Sequence, residues 1–262
     1  MGLIESEGFI LRTHKLAEAD KIVVCLTHKC GVIRGVARGA RRLKSRFGAS
    51  LEPFTLVTLS LFEREGKELM SLRQAEIRQS YFHLSLNTEV IASLEYLSEL
   101  IIEFTPPHEP DTKLLRMVGA CLEAISADPT LLQEVIRYFE FWILKLSGFL
   151  APPEKCANCE VRLAARTPEI VVAYASRGGA FNCHECYGYD AIPVSGEVLE
   201  RLIAMQKMAP GAWSKSGVRY SLNIGLEISK ILKRNIASAL DRTPRGQTTG
   251  LDSSPLFLNQ TY

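Results

Sequence analysis

Residues 21–47 read KIVVCLTHKCGVIRGVARGARRLKSRF, and this stretch decides the fold of the first part of the chain. Ile22 to Thr27 is a β-branched run, Gly31 marks a turn, and Val32 to Val36 is a second run. The spacing predicts two paired strands. Working outward, Gly8-Phe9-Ile10-Leu11 begins an earlier strand. Phe54 to Phe62 (FTLVTLSLF) alternates as a half-buried strand does, and after a Glu65-Gly66 turn Leu69 to Ile77 supplies a fifth. Five short strands without a long helix predict a small antiparallel barrel. A five-stranded barrel of the OB type is the leading expectation, and an SH3-like barrel would give much the same pattern.

After Ser80 the apolar period changes to that of helices. Val90, Ile91, Leu94, Leu97, Ile101 and Phe104 share one face, and Pro106-Pro107 stops the run. Asp111 caps a second helix with Leu114, Leu115, Val118, Cys121, Leu122 and Ile125 inside, ended by Asp128-Pro129. A third covers Leu131 to Leu146, burying Val135, Ile136, Phe139, Trp142 and Ile143, and stops at Gly148. These three stripes are expected to pack as a bundle. A cysteine segment over 154–190 interrupts the helices. Ser195 then caps a helix carrying Val198, Leu199, Leu202 and Ile203, and a last helix covers about 220–240, with Leu222, Leu226, Ile231, Leu232, Ile236 and Leu240. The expected class is α+β: an OB barrel over 1–80, a helical domain with a zinc ribbon-like insert over 81–241, and a disordered tail over 242–262, rich in Thr, Pro, Gly, Gln and Ser.

The charge is unevenly placed. Between Asp20 and Glu52 there is no acid, yet Lys21, Lys29, Arg34, Arg38, Arg41, Arg42, Lys44 and Arg46 all fall there. The chain as a whole carries +2, so without these eight the remainder stands at −6. Such a patch matters more for phosphate binding than the overall charge. Guanidiniums at 34, 38, 41, 42 and 46 offer forked donors to phosphate oxygens, with Lys44 as a point charge. The plainer reading is a solvated basic loop. On a barrel rim, an acid-free stretch favours a groove for the nucleic-acid backbone. Phe47 is expected to pack into the core more than to stack on a base.

Cys156-Ala-Asn-Cys159 and Cys183-His-Glu-Cys186 are two CxxC knuckles separated by 23 residues. Each knuckle turns tightly enough to aim two thiolates at one tetrahedral centre, so one structural Zn²⁺ is expected. Two disulfides or a redox pair are the competing readings. The N-terminus, MGLIESEGFILRTH, has neither the basic start nor the long apolar core of a secretory signal, and no stretch approaches a membrane span. A reducing, cytoplasmic location is therefore expected, which disfavours disulfides. Apolar residues at 47% suffice for a core without them. His184 is expected to be exposed and non-ligating. Cys25 and Cys121 fall on apolar faces and read as small core residues.

The chain resembles the RecO family of bacterial DNA repair and recombination mediators. The match runs through Gly8-Phe9-Ile10-Leu11, Glu18-Ala-Asp20-Lys21 and Leu26-Thr27, then Gly31-Val-Ile, Ala37-Arg38-Gly39-Ala40-Arg41-Arg42, Ser45-Arg46 and Leu51-Glu52-Pro53-Phe54. It continues at Phe141 to Phe149 and in the CxxC…GG…CxxC element from Cys156 to Cys186. The resemblance covers about 1–190 well and is looser to 241. It implies an OB barrel followed by a helical domain with a zinc element, and a non-catalytic role. It further implies binding of single- and double-stranded DNA, annealing of complementary strands, and loading of the recombinase RecA together with RecR. The acidic, apolar C-terminal tail of the single-strand-binding protein is an implied ligand of the helical domain, where Arg116, Arg137 and Lys145 are candidate cations. RecF is a further candidate partner, and no membrane is implied.

Two other classes compete. One is a zinc-containing nucleic-acid-processing enzyme such as a nuclease, against which the sequence has no carboxylate cluster suited to phosphodiester cleavage, no P-loop and no Ser/His/Asp set. The other is a zinc-containing RNA-binding protein of transcription or the ribosome, which barrel and charge alone would permit.

Overall fold

The computed structural model describes residues 2–63, 66, 69–163, 172–175, 179–186, 191–217 and 222–245. Of the expected features, Glu65 of the turn, residues 164–171, 176–178 and 187–190 of the cysteine segment, 220–221 at the start of the last helix and 246–262 of the tail lie outside the described residues.

Five strands close into a barrel: β1 (Leu3–Lys15), β2 (Lys21–Thr27), β3 (Gly31–Ala37), β4 (Leu56–Phe62) and β5 (Met70–Gln79). The order around the barrel is β1-β2-β3-β5-β4. All neighbours run antiparallel except β3 and β5, which pair in parallel through Gly35–Ala37 and Met70–Leu72. Closure depends on β1, whose 13 residues exceed the expected run. Its first half pairs with β4 and its second with β2, the register shifting between Ile10 and Arg12. Such a bulge bends a strand so that it can serve two neighbours.

The interior is filled by alternate residues, among them Ile10, Val23, Cys25, Ile33, Val57, Leu59, Leu61 and Leu72. Phe47 and Leu51, from the segment after β3, join the same core. The pattern along β4 is alternating, as its sequence predicts, while β2 is buried on both faces from Val23 to Thr27. The outer face of β1 carries helix α1 (Thr88–Phe104): Ser98 Oγ donates to the Leu11 carbonyl at 3.1 Å, and Arg12 Nη2 to the Glu95 carbonyl at 3.2 Å. Burial of β2 on both faces explains why IVVCLT reads as a continuous apolar run.

Gly31 has φ +63°, and a Cβ there would overlap the carbonyl of Glu109. The chain after α1 returns to this turn, with Val32 bridged to Pro107 and His108 N–H donating to the Val32 carbonyl at 3.2 Å. Only glycine tolerates both the left-handed backbone and the approach.

The chain divides into two compact units at 117/118, within helix α2 (Thr112–Ala127). Asp111 caps α2 as expected, its Oδ1 accepting from the N–H groups of Lys113 and Leu114 at 2.8 and 2.9 Å. The second unit contains α3 (Leu132–Leu146), α4 (Gly196–Met205), α5 (Pro210–Ser216) and α6 (Leu222–Leu240). It also holds a three-stranded sheet of β6 (Val172–Ala175), β7 (Ala180–Asn182) and β8 (Ala191–Val194), in the order β7-β6-β8.

The expected bundle of the first three helices requires correction. α1 falls in the barrel's unit, α2 spans the division, and α3 packs against α4, α5 and α6. Two inward assignments also change, since Ile91 and Leu226 are exposed. Three charged residues are interior, Glu99, Glu140 and Arg201; Arg201 on α4 is 2% exposed. Its guanidinium stacks 3.8 Å from the Trp213 ring centre and donates to the Trp213 carbonyl, Ser216 Oγ and Glu134 Oε2. A planar fork satisfied this fully can be buried.

Candidate nucleic-acid interface and metal centre

The basic segment leaves the barrel at the end of β3 and forms an ordered rim. Gly39 N–H donates to Asp20 Oδ1 at 2.8 Å, Arg41 N–H to the Ala19 carbonyl at 2.9 Å, and Arg41 Nη1 to the Ala17 carbonyl at 2.9 Å. Local turns from Arg42 N–H to Gly39 O and from Ser45 N–H to Arg42 O complete it. The loop between β1 and β2 therefore props up the loop after β3. Asp20 is used on the backbone and forms no ion pair with a guanidinium.

Arg34 on β3 and Arg38, Arg41, Arg42, Lys44 and Arg46 of the segment that follows it are all exposed. None forms an ion pair among the described residues. Arg46 lies 5.0 Å from the Phe47 ring centre, while the ring itself is 3% exposed, so Phe47 packs into the core as its sequence context suggests. Leu43 stands wholly exposed among the cations.

Strand register adds residues that sequence reasoning missed. Lys15 on β1 faces Lys21 on β2, which faces Ala37, so Lys15 joins Lys21 where the basic loop begins. Arg12, Val24 and Arg34 occupy one row across β1, β2 and β3, and His14, Ile22 and Val36 the next. The acid-free interval starts after Asp20 and therefore excluded Arg12, His14 and Lys15. Only the pairing of β1 with β2 brings them alongside.

In the second unit the four cysteines come together. The sulfurs of Cys156, Cys159, Cys183 and Cys186 all lie within 4.8 Å of one another, and the Cys159–Cys183 pair stands at 3.7 Å. Sulfurs about 2.3 Å from a shared tetrahedral zinc would be separated by about 3.8 Å. The donor set thus fits one tetrahedral thiophilic metal ion, and all four cysteines are free thiols in the structure. His184 is exposed and outside the cluster. Each knuckle is closed by its own backbone: Glu160 N–H donates to the Cys156 carbonyl at 3.0 Å and Cys186 N–H to the Cys183 carbonyl at 3.0 Å. Ala157 N–H to the Phe181 carbonyl, at 2.9 Å, ties the first knuckle to β7, which leads into the second.

Burial works to raise the Cys156 thiol, but backbone N–H groups of Cys159, Cys183 and Asn158 outweigh it and hold the group down at about 6. Cys159 moves the other way. The Val161 backbone N–H favours its thiolate, yet the neighbouring Cys156 sulfur pushes it up to about 12. The Asn158 side chain favours the Cys186 thiolate, but Cys183 is among the neighbours that raise that thiol. Without a cation, clustered thiols resist ionising together; a divalent ion removes that repulsion. Buried Cys25 and Cys121 are pushed up by desolvation and lie apart from the cluster, as core residues.

Of the cations considered for a peptide site, Arg137 pairs with Glu134 at 2.9 Å, and Lys145 donates to Gln206 Oε1 beside the Trp142 ring. Arg116 is exposed. No helix among the described residues is long and apolar enough to cross a membrane.

Residues 1–81 match the family model described as Recombination protein O N terminal, and residues 87–248 match Recombination protein O C terminal. Among curated relatives, the DNA repair protein RecO of Alkaliphilus metalliredigens is 28% identical over 92% of this chain and 95% of its own. That of Geobacter metallireducens is 31% identical over 90% and 92%, and that of Anaeromyxobacter sp. strain K is 32% identical over 79% and 80%.

Proposed function

The chain belongs to the recombination protein O family, and from that premise we propose that it is a DNA-binding recombination mediator of DNA repair. It binds single- and double-stranded DNA and anneals complementary strands. With RecR it helps load RecA onto DNA coated by single-strand-binding protein, whose acidic C-terminal tail it also binds, and RecF is a further partner. It is not an enzyme, and it works in the cytoplasm at the nucleoid. The barrel over 1–80 is the nucleic-acid-binding domain, and 81–241 the helical domain with the metal element at about 154–190.

The observation that carries this reading is the propped loop after β3, whose five exposed cations together with Arg34 of β3 form no ion pair among the described residues. Guanidiniums directed at phosphates read no base edges, so binding is independent of sequence. Screening the charge of two backbones lets complementary strands approach each other. Arg34, Arg38, Arg41, Arg42, Lys44 and Arg46 are the residues assigned to the DNA backbone. Cys156, Cys159, Cys183 and Cys186 are assigned to one zinc ion. An all-thiolate set suits zinc, and four protein donors close its shell, so the ion has a structural role.

A strand-annealing assay with and without single-strand-binding protein tests the proposal. Annealing that persists on coated strands is the expected result. Strong RNA preference without annealing would move the chain to RNA metabolism, and cleavage at turnover would make it an enzyme.

A further inference from the structure

Within the first unit, a cavity of about 520 Å³ opens between the second half of β1, the segment before β4 and helix α1. Leu11, Phe54 and Tyr81, each at most 5% exposed, form its apolar floor. Phe82, 61% exposed, and Ile91 of α1, 37% exposed, also line it. The exposure of both is otherwise unexplained: Phe82 opens a short 3-10 turn, Phe82–Leu86, and Ile91 lies on a helix whose apolar stripe predicts burial.

We propose that this cavity receives one unstacked nucleobase of the single strand that the basic rim tracks. The inference rests on the DNA-binding reading above and gives it a second, uncharged contact. Three features select a base. The first is the ring content of the lining, since every base has a face that stacks on an aromatic side chain.

The second is polarity. Arg12 and His14 line the cavity together with Glu52 and Glu95. A base amino group can donate to a carboxylate and a base carbonyl can accept from a guanidinium. An acidic peptide would place its own carboxylates against Glu52 and Glu95, and like charges at that range repel.

The third is continuity. Residues 11–14 of β1 line the cavity, Lys15 follows, and residues 17–20 hold the basic loop. From Arg12 to Lys15 a strand advances about 10 Å. A stacked nucleic-acid strand covers that length in about three nucleotides. One short strand can therefore occupy the rim and place a base in the cavity.

The test uses the full chain, oligodeoxythymidylates and three variants. Phe82→Ala, at an exposed position, should weaken binding of a short oligomer by about 5- to 150-fold, the range for loss of one base–aromatic stack, without changing the salt slope. Phe82→Trp should restore affinity, and oligomer binding should quench the indole fluorescence of this variant beyond any change from Trp142 and Trp213 in the unmodified protein. The triple variant Arg42→Ala/Lys44→Ala/Arg46→Ala should instead flatten the slope. If the triple variant weakens binding and Phe82→Ala does not, the base pocket is wrong and the rim stands. If neither changes binding, both the pocket and the DNA reading of the rim fail. Competition at the introduced indole by an acidic, phenylalanine-ended peptide, with no response to oligomer, would make the cavity a peptide site and overturn the proposal.

Discussion

Replacing Arg42, Lys44 and Arg46 together by Ala removes half of the six exposed cations of β3 and the loop after it, and leaves Arg41, whose guanidinium also props the loop on Ala17. If each of the six neutralises one phosphate, single-strand affinity should fall with salt with a log–log slope near −4, at about 0.7 per contact. Between 50 and 200 mM salt this amounts to a loss of about 300-fold. Three contacts leave a slope near −2 and a loss of about 20-fold over the same range. The variant therefore binds much more weakly at low salt and approaches the unmodified protein as salt rises. Fluorescence anisotropy of a labelled oligomer, titrated at several KCl concentrations, reads both slopes. Far-UV circular dichroism verifies that the barrel is intact, since Phe47 loses the guanidinium over its ring but keeps its buried seat. Equal slopes for the two proteins would show that phosphates lie elsewhere, whatever the affinities.

The metal centre should be separable from this groove. Cys183→Ser should abolish one bound zinc per chain, measured by elemental analysis, and lower the melting temperature while leaving the salt slope unchanged; equal stability with and without metal would refute a structural ion. Because the Cys159 and Cys186 thiols are raised, metal uptake near neutral pH should release protons and affinity should climb with pH, which calorimetry in buffers of different ionisation enthalpy detects. Gly179→Ala should destabilise the second unit by at least about 1–3 kcal/mol from backbone alone. Gly179 has φ +62° and its added Cβ would also overlap the Phe149 carbonyl, so a denaturant midpoint equal to wild type would contradict the packing of β7. Arg201→Ala should cost about 3–5 kcal/mol, as for a broken buried pair, reduced in part because Glu134 is partly exposed. Arg201→Lys should not restore it, because an ammonium cannot reach Trp213 O, Ser216 and Glu134 as a planar fork does; denaturation curves distinguish the two.

The sequence by itself determined the local features. The period-2 run at Leu56–Phe62, the glycine turn at Gly31, the Asp111 cap and the two CxxC knuckles each follow from residues a few positions apart. Short-range sterics and hydrogen bonding suffice to specify such features. The basic interval was equally legible, because charge is a property of composition. Tertiary structure alone decided what lies beside what. The pairing of β1 with β2 adds Arg12, His14 and Lys15 to the cationic side, and the covering of β1 by α1 turns an apolar stripe into one wall of a cavity. The burial of Arg201 depends on partners as far as 67 positions away in the chain. Long-range contacts set these neighbours, and no periodicity along the chain encodes which distant residue will complete a hydrogen-bonded fork or which aromatic ring will line a cavity.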